Sequence, residues 1–150
     1  MIINRTQINC AYPEGLMYEV YFAGCKHKCN GCYSPELWDF KNGTRMTAQH
    51  IAMDLHPQRH KVRGVVMIGG DPLYQPKGAL TLAQTIREHF PELELWLYTG
   101  FEREEIMEDP DKKAVYDLCD MVKTGKYDIT RRRSGHPASE NQQIWRPQDE

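Results

Sequence analysis

The chain has 150 residues, 40% of them hydrophobic, which suits a single domain (residues 1–150) built on one sizeable core. Its 19 basic and 21 acidic side chains leave a net charge of -2, so no global field draws it to nucleic acid or to an anionic membrane. Asn4, Arg5, Gln7, Asn9, Pro13 and Glu14 interrupt any signal-peptide core near the start, and no run approaches the roughly 18 apolar residues that span a bilayer.

Leu16 to Ala23 is rich in aromatic and aliphatic residues and stops at Gly24, the pattern of a strand that hands over to a loop. Thr47 is a fitting N-cap for a helix from Ala48 to His56, with Ile51, Ala52 and Leu55 on one face and Pro57 as the stop. Gly64 to Ile68 is a continuous apolar run, as expected of a strand buried on both faces, and Gly69-Gly70-Asp71-Pro72 breaks it. Leu80 to Phe90 carries Leu82, Ala83, Ile86 and Phe90 at helical spacing. Glu94 to Thr99 predicts a third strand closed by Gly100, Asp111 to Tyr116 a further helix, and Leu118 to Val122 a fourth strand.

Strand, loop and helix in alternation form parallel βαβ units with right-handed crossovers. Four units are too few for a closed eight-stranded barrel. The expected fold is therefore α/β, a partial, open parallel βα barrel. Its reactive groups should gather at the C-terminal ends of the strands, where the loops at Cys25, Gly69 and Thr99 would meet. From about residue 125 the chain turns polar and reads as a C-terminal segment without its own core. Charge is uneven: Glu102 to Asp120 carries eight acids and three bases, and Lys123 to Arg146 six bases and two acids. Two solvated faces of opposite sign explain this; a binding face is the sharper reading.

Five cysteines, three of them crowded at Cys25, Cys29 and Cys32, do not make the disulfide framework of a secreted scaffold. A reducing cytoplasm is the expected compartment. The Cys-x3-Cys-x2-Cys spacing suits three irons of a cubane iron–sulfur cluster that ordinarily takes four cysteines, leaving one iron open to a small molecule. Three cysteines with His27, His50, His56 or His60 would also make a structural zinc site. A plain electron carrier would need Cys10 or Cys119 as fourth ligand. Cys119, in an apolar stretch, reads as a core thiol, His27 and His60 as solvated, and Trp38 and Trp96 as core.

Gly69-Gly70-Asp71-Pro72 has its own logic. Two glycines permit close backbone approach to a ligand, Asp71 offers an acceptor and a negative charge that suit an ammonium group, and Pro72 stiffens the exit. The same residues also suit an ordinary strand-to-helix turn.

With the cysteine triad after one strand and the glycine loop after the next, the sequence resembles the radical S-adenosylmethionine enzymes. Within them it is most similar to the activating proteins of anaerobic ribonucleoside-triphosphate reductase. The residues behind this are Gly31-Cys32-Tyr33 with Pro35 to Trp38, Gly69 to Leu73, Leu97 to Gly100, Gly125 to Asp128, and Ser134-Gly135 followed by Glu140 to Ile144. Asn30 stands where a proline is more usual in that branch. The resemblance implies a [4Fe-4S] cluster on Cys25, Cys29 and Cys32, with its fourth iron chelated by S-adenosylmethionine. Gly69, Gly70 and Asp71 would orient the methionyl ammonium, and Gly31, Cys32 and Tyr33 would border the same ligand. The implied reaction is one-electron cleavage to a 5′-deoxyadenosyl radical that takes hydrogen from a backbone glycine of the partner reductase. It needs no general acid or base. A reduced flavodoxin-like protein is the implied electron donor; a formate-lyase-type activase is the nearest alternative.

Overall fold

The computed structural model describes residues 1–29, 31–135 and 137–150, so Asn30 lies outside the described residues. Among them seven strands form one sheet: β1 (Ile2–Tyr12), β2 (Gly15–Phe22), β3 (Thr44–Arg45), β4 (Gly64–Gly69), β5 (Glu94–Tyr98), β6 (Met121–Thr124) and β7 (Gln143–Trp145), in the order β3-β1-β2-β4-β5-β6-β7. The four central strands, β2, β4, β5 and β6, are parallel. Antiparallel strands flank them, β1 and β3 on one side and β7 on the other. The sheet is open and mixed rather than wholly parallel.

Strand β1 is absent from the sequence expectation. Its ladder with β2 shifts register between Ile3 and Arg5 and again between Asn9 and Tyr12, and each such irregularity breaks the alternation of faces by which a strand is read. The fourth parallel strand lies later than expected, because α4 (Pro110–Leu118) continues through Leu118 before β6 begins at Met121. Helix α1 (Ala48–Leu55) starts where Thr47 Oγ1 accepts the His50 N–H at 3.1 Å. Helix α2 (Pro76–His89) starts earlier than its apolar spacing indicates, since proline is well suited to the first helical turn. A short α3 (Arg103–Glu108), closed by a reciprocal Glu102–Glu105 capping box, also lacks the apolar periodicity that would announce it. Among the described residues no helix is long and apolar enough to cross a membrane.

Alternation along the strands sorts the core. Val65 and Met67 of β4, Leu95 and Leu97 of β5, and Val122 of β6 pack with Ile51 and Leu55 of α1, with Leu82, Ala83 and Ile86 of α2, and with Val115 of α4. The intervening Val66, Trp96 and Met121 join Tyr12, Met17 and Tyr98 in a second cluster on the other face, to which, among the described residues, no helix contributes. Both faces being apolar, β4 reads as an unbroken hydrophobic run. On the helix-free face Glu19 is 1% exposed and accepts hydrogen bonds from Tyr12 Oη (2.5 Å), Tyr21 Oη (2.9 Å) and Gln7 Nε2 (2.8 Å). The segment after residue 125 adds β7 to the edge and buries Ser139 and Gln142, with Gln142 Nε2 donating to the Gly125 carbonyl at 3.0 Å.

Candidate active site

Because β2, β4, β5 and β6 run in one direction, their C-terminal ends open on one side of the sheet, and the last residues on the helix-free face turn toward a common space. Tyr21, Ile68, Tyr98 and Lys123 hold those positions. With Cys25, Cys29 and Cys32 they line a cavity of about 250 Å³, whose wall also includes Tyr33, Gly69, Gly70, Thr99, Gly100 and Tyr127. All three cysteines of the loop thus line one space.

The loop is tied to its neighbours by its backbone. Gly24 N–H donates to the Leu37 carbonyl at 2.8 Å and Cys25 N–H to the Trp38 carbonyl at 3.3 Å. Cys32 N–H closes a turn onto the Cys29 carbonyl at 3.1 Å, and the Ser34 N–H reaches Cys32 Sγ at 3.5 Å. Burial pushes the Cys25 thiol up to about 11 and raises Cys29 as well. Without metal these sulfurs keep their protons; a bound cation reverses that preference and takes the thiolates as ligands.

Among the described residues, neither of the other two cysteines supplies a fourth ligand. Cys119 precedes β6, at the end of the sheet opposite the cavity, and its thiol donates to the Val115 carbonyl at 3.3 Å. Cys10 follows Asn9, whose partner is Met17 in the first half of β2, so it also lies at the far end. His50, His56 and His60 are exposed on and just beyond α1. His27 is not solvated as expected: its side chain is 5% exposed and Nε2 lies 2.7 Å from Asp71 Oδ2. Three cysteines line one cavity; His50, His56 and His60 are exposed, and His27, which shares the cavity wall, is held through Nε2 by Asp71, an arrangement that fits a cluster held by the three cysteines.

The glycine loop packs closely against the protein's own backbone. An added Cβ on Gly70 would stand 2.5 Å from the Gly24 carbonyl oxygen and 2.8 Å from that of Leu37, so the close approach is to protein backbone. Gly69 combines φ +118° with the backbone of Phe22 at 2.5 Å from any added Cβ. Both glycines still border the cavity. Asp71 does not. It is 1% exposed, and its carboxylate accepts from Leu73 N–H (3.0 Å), Thr99 Oγ1 (2.9 Å to each oxygen) and Gly100 N–H (2.8 Å), besides meeting His27. An ammonium group would find these oxygens already occupied. Asp71 instead joins the cysteine loop, the glycine loop and the end of β5. The His27 ring completes that joint, packed edge-on to Phe101 at 4.7 Å and tilted against Tyr74 at 5.1 Å.

Sequence reasoning missed three wall residues. Lys123 Nζ lies 4.4 Å from the Tyr98 ring centroid and, among the described residues, has no carboxylate within 4.0 Å; burial holds it down at about 8. Tyr127 stacks at 36° on Tyr33 with centroids 4.9 Å apart, and its hydroxyl reaches that of Tyr33 at 3.3 Å. Tyr98 is buried by aromatic neighbours on the helix-free face. The two-residue period from Met121 to Lys123, and from Trp96 to Tyr98, was the available signal, and it required the correct start of β6.

Residues 13–145 match the model of the 4Fe-4S single cluster domain. The anaerobic ribonucleoside-triphosphate reductase-activating protein of Enterobacteria phage T4 is 31% identical over 135 residues, covering 87% of this chain and 84% of that protein. The proteins of the same name from Vibrio cholerae and from Escherichia coli K12 are each 31% identical, over 80% and 75% of this chain and 79% and 75% of their own lengths. Among solved structures, QueE from Escherichia coli superposes with a TM-score of 0.54 at 15% identity, over 66% of this chain and 52% of that one, a likeness of fold. Sequence likeness of that extent, on a sheet that brings three cysteines of one loop to one cavity, places the chain in the family of anaerobic ribonucleoside-triphosphate reductase-activating proteins.

Proposed function

We propose that this chain is the activating enzyme of an anaerobic ribonucleoside-triphosphate reductase, forming a glycyl radical on that partner by reductive cleavage of S-adenosylmethionine at a [4Fe-4S] cluster. The observation that carries the reading is the meeting of Cys25, Cys29 and Cys32 with Gly69, Gly70 and Lys123 around one cavity at the C-terminal ends of parallel strands. When bound, the cluster and S-adenosylmethionine together supply the chemistry: one-electron cleavage of the sulfonium and removal of a hydrogen atom from a backbone glycine.

This chain's own residues bind and orient. Cys25, Cys29 and Cys32 are the cluster ligands, and the Gly69–Gly70 backbone is the platform for the methionyl ammonium. Asp71 acts one layer behind, as a positioning residue that holds the cysteine loop against Thr99 and Gly100. Lys123, a cation in the wall without a carboxylate of its own, answers the negative charge of a thiolate-ligated cluster and of the methionyl carboxylate. Gly31 and Tyr33 border the nucleoside. The open sheet is one arc of an incomplete barrel, and the missing arc leaves room for a polypeptide loop. A reduced flavodoxin-like protein is the proposed electron donor.

The test uses the anaerobically reconstituted protein with reductant, S-adenosylmethionine and the glycyl-radical reductase encoded by the same genome. A glycyl-radical signal in electron paramagnetic resonance is expected. Formation of 5′-deoxyadenosine without that signal would redirect the reading to a different polypeptide substrate, such as that of a formate-lyase-type activase.

A further inference from the structure

Beside the cavity, a hairpin carries Arg131, Arg132 and Arg133. It is built, not trailing: Arg132 bridges Ser139, Arg133 N–H donates to the Ala138 carbonyl at 2.9 Å, and Glu140 N–H to that of Arg131 at 2.9 Å. Among the described residues none of the three guanidiniums has a carboxylate within 4.0 Å, whereas Arg63, Arg87, Arg103 and Arg146 each do. Asp128 hydrogen-bonds the backbone and hydroxyl of Thr130 and attracts Arg131 through space without an ion pair, and among the described residues Glu140 is exposed and makes none, so the charges of Arg132 and Arg133 are left uncancelled.

The same rim exposes large apolar groups. Tyr33 is 68% exposed and Ile129 43%. Ile129 rests on the cysteine loop, for an added Cβ on Gly31 would meet its Cδ1 at 2.6 Å. Tyr33 is the shared wall between the cysteine cavity and a groove of about 450 Å³ lined by Arg132, Arg133 and Ser134. An exposed tyrosine and an exposed aliphatic among unpaired arginines have the composition of an interface centre, where tyrosine and arginine are enriched. Unpaired like charges held together on the surface call for a partner of opposite sign.

We propose that this rim docks an acidic segment of the reductase polypeptide adjoining the loop that bears its glycine. The inference rests on the reading given under Proposed function and adds the surface that delivers that loop to the cavity. The exposed guanidiniums supply encounter and orientation; Tyr33 and Ile129 supply the apolar centre beside the reacting groups.

The test compares cluster-loaded wild-type protein with R132E/R133E and R132Q/R133Q, measuring affinity for the reductase by calorimetry at low and moderate salt. Reductase-independent formation of 5′-deoxyadenosine is measured in parallel. The charge reversal should weaken binding about tenfold or more and the neutral pair less, with a flatter salt dependence in both, while reductase-independent cleavage stays at the wild-type level. Wild-type affinity in the charge-reversed protein overturns the inference, even if the variant has lost binding to a generic polyanion such as heparin. If wild-type protein yields 5′-deoxyadenosine but neither binds nor activates the reductase, the underlying reading fails instead.

Discussion

Asp71→Ala tests the joint behind the cavity. At 1% exposure, the carboxylate serves Leu73 N–H, Thr99 Oγ1, Gly100 N–H and His27 Nε2, groups drawn from three segments of the chain. Truncation leaves those donors facing a small void. A buried donor without an acceptor costs about 1–3 kcal/mol, and removing the Asp71 carboxylate strands several such groups at once. These penalties overlap because water can enter the void, so about 4 kcal/mol is expected, a large share of the roughly 5–15 kcal/mol that holds a domain together. Asp71→Asn keeps one acceptor oxygen but presents an amide to groups that donate, and should lose about half as much. Urea unfolding of the metal-free protein, followed by far-ultraviolet circular dichroism, measures the difference. Loss of less than about 1 kcal/mol in the alanine variant would refute the assignment of Asp71 to the scaffold. Such a result, combined with a large fall in S-adenosylmethionine affinity, would return Asp71 to direct ligand contact.

Cys29→Ala removes one of three cysteines lining the cavity; iron and sulfide content and the broad absorption near 400 nm should be lost after reconstitution, with the circular dichroism spectrum unchanged. Gly70→Ala drives a methyl group to 2.5 Å from the Gly24 carbonyl oxygen, and should destabilise by about 1–3 kcal/mol in thermal unfolding. For Lys123 the folded value of about 8 lies below the ordinary 10.5. Below pH 8 both folded and unfolded states carry the charge and its burial cost is felt in full. Between about 8 and 10.5 the unfolded chain binds the extra proton, so this contribution to stability rises with pH. Lys123→Met should therefore stabilise the metal-free protein at pH 7 by up to about 3 kcal/mol, an advantage that shrinks toward pH 10 in paired melts; in the loaded enzyme the same substitution should weaken S-adenosylmethionine binding.

Elements whose signal is local were legible. Thr47 before Ile51 and Leu55 announced α1, and the bounded apolar run from Gly64 announced a strand buried on two faces. The cysteine spacing and the glycine loop, each placed after a strand, indicated where reactive groups would meet. β1 was not legible, because two irregularities in its ladder erase the alternation. β6 was displaced, because Leu118 and Cys119 are as apolar as the strand that follows them.

What the sequence determined by itself is the chemistry on offer: three thiols at one spacing, two glycines that permit a close approach at a strand end, and strands in an order that sets their ends side by side. Tertiary structure alone decided that Asp71 faces protein donors, that His27 is buried against it, and that Lys123 stands in the cavity wall over the Tyr98 ring, with no carboxylate within 4.0 Å among the described residues. Those facts depend on which groups from distant segments the fold brings within reach of one another, and a carboxylate satisfied by Thr99 and Gly100, 28 and 29 residues away, leaves no local trace.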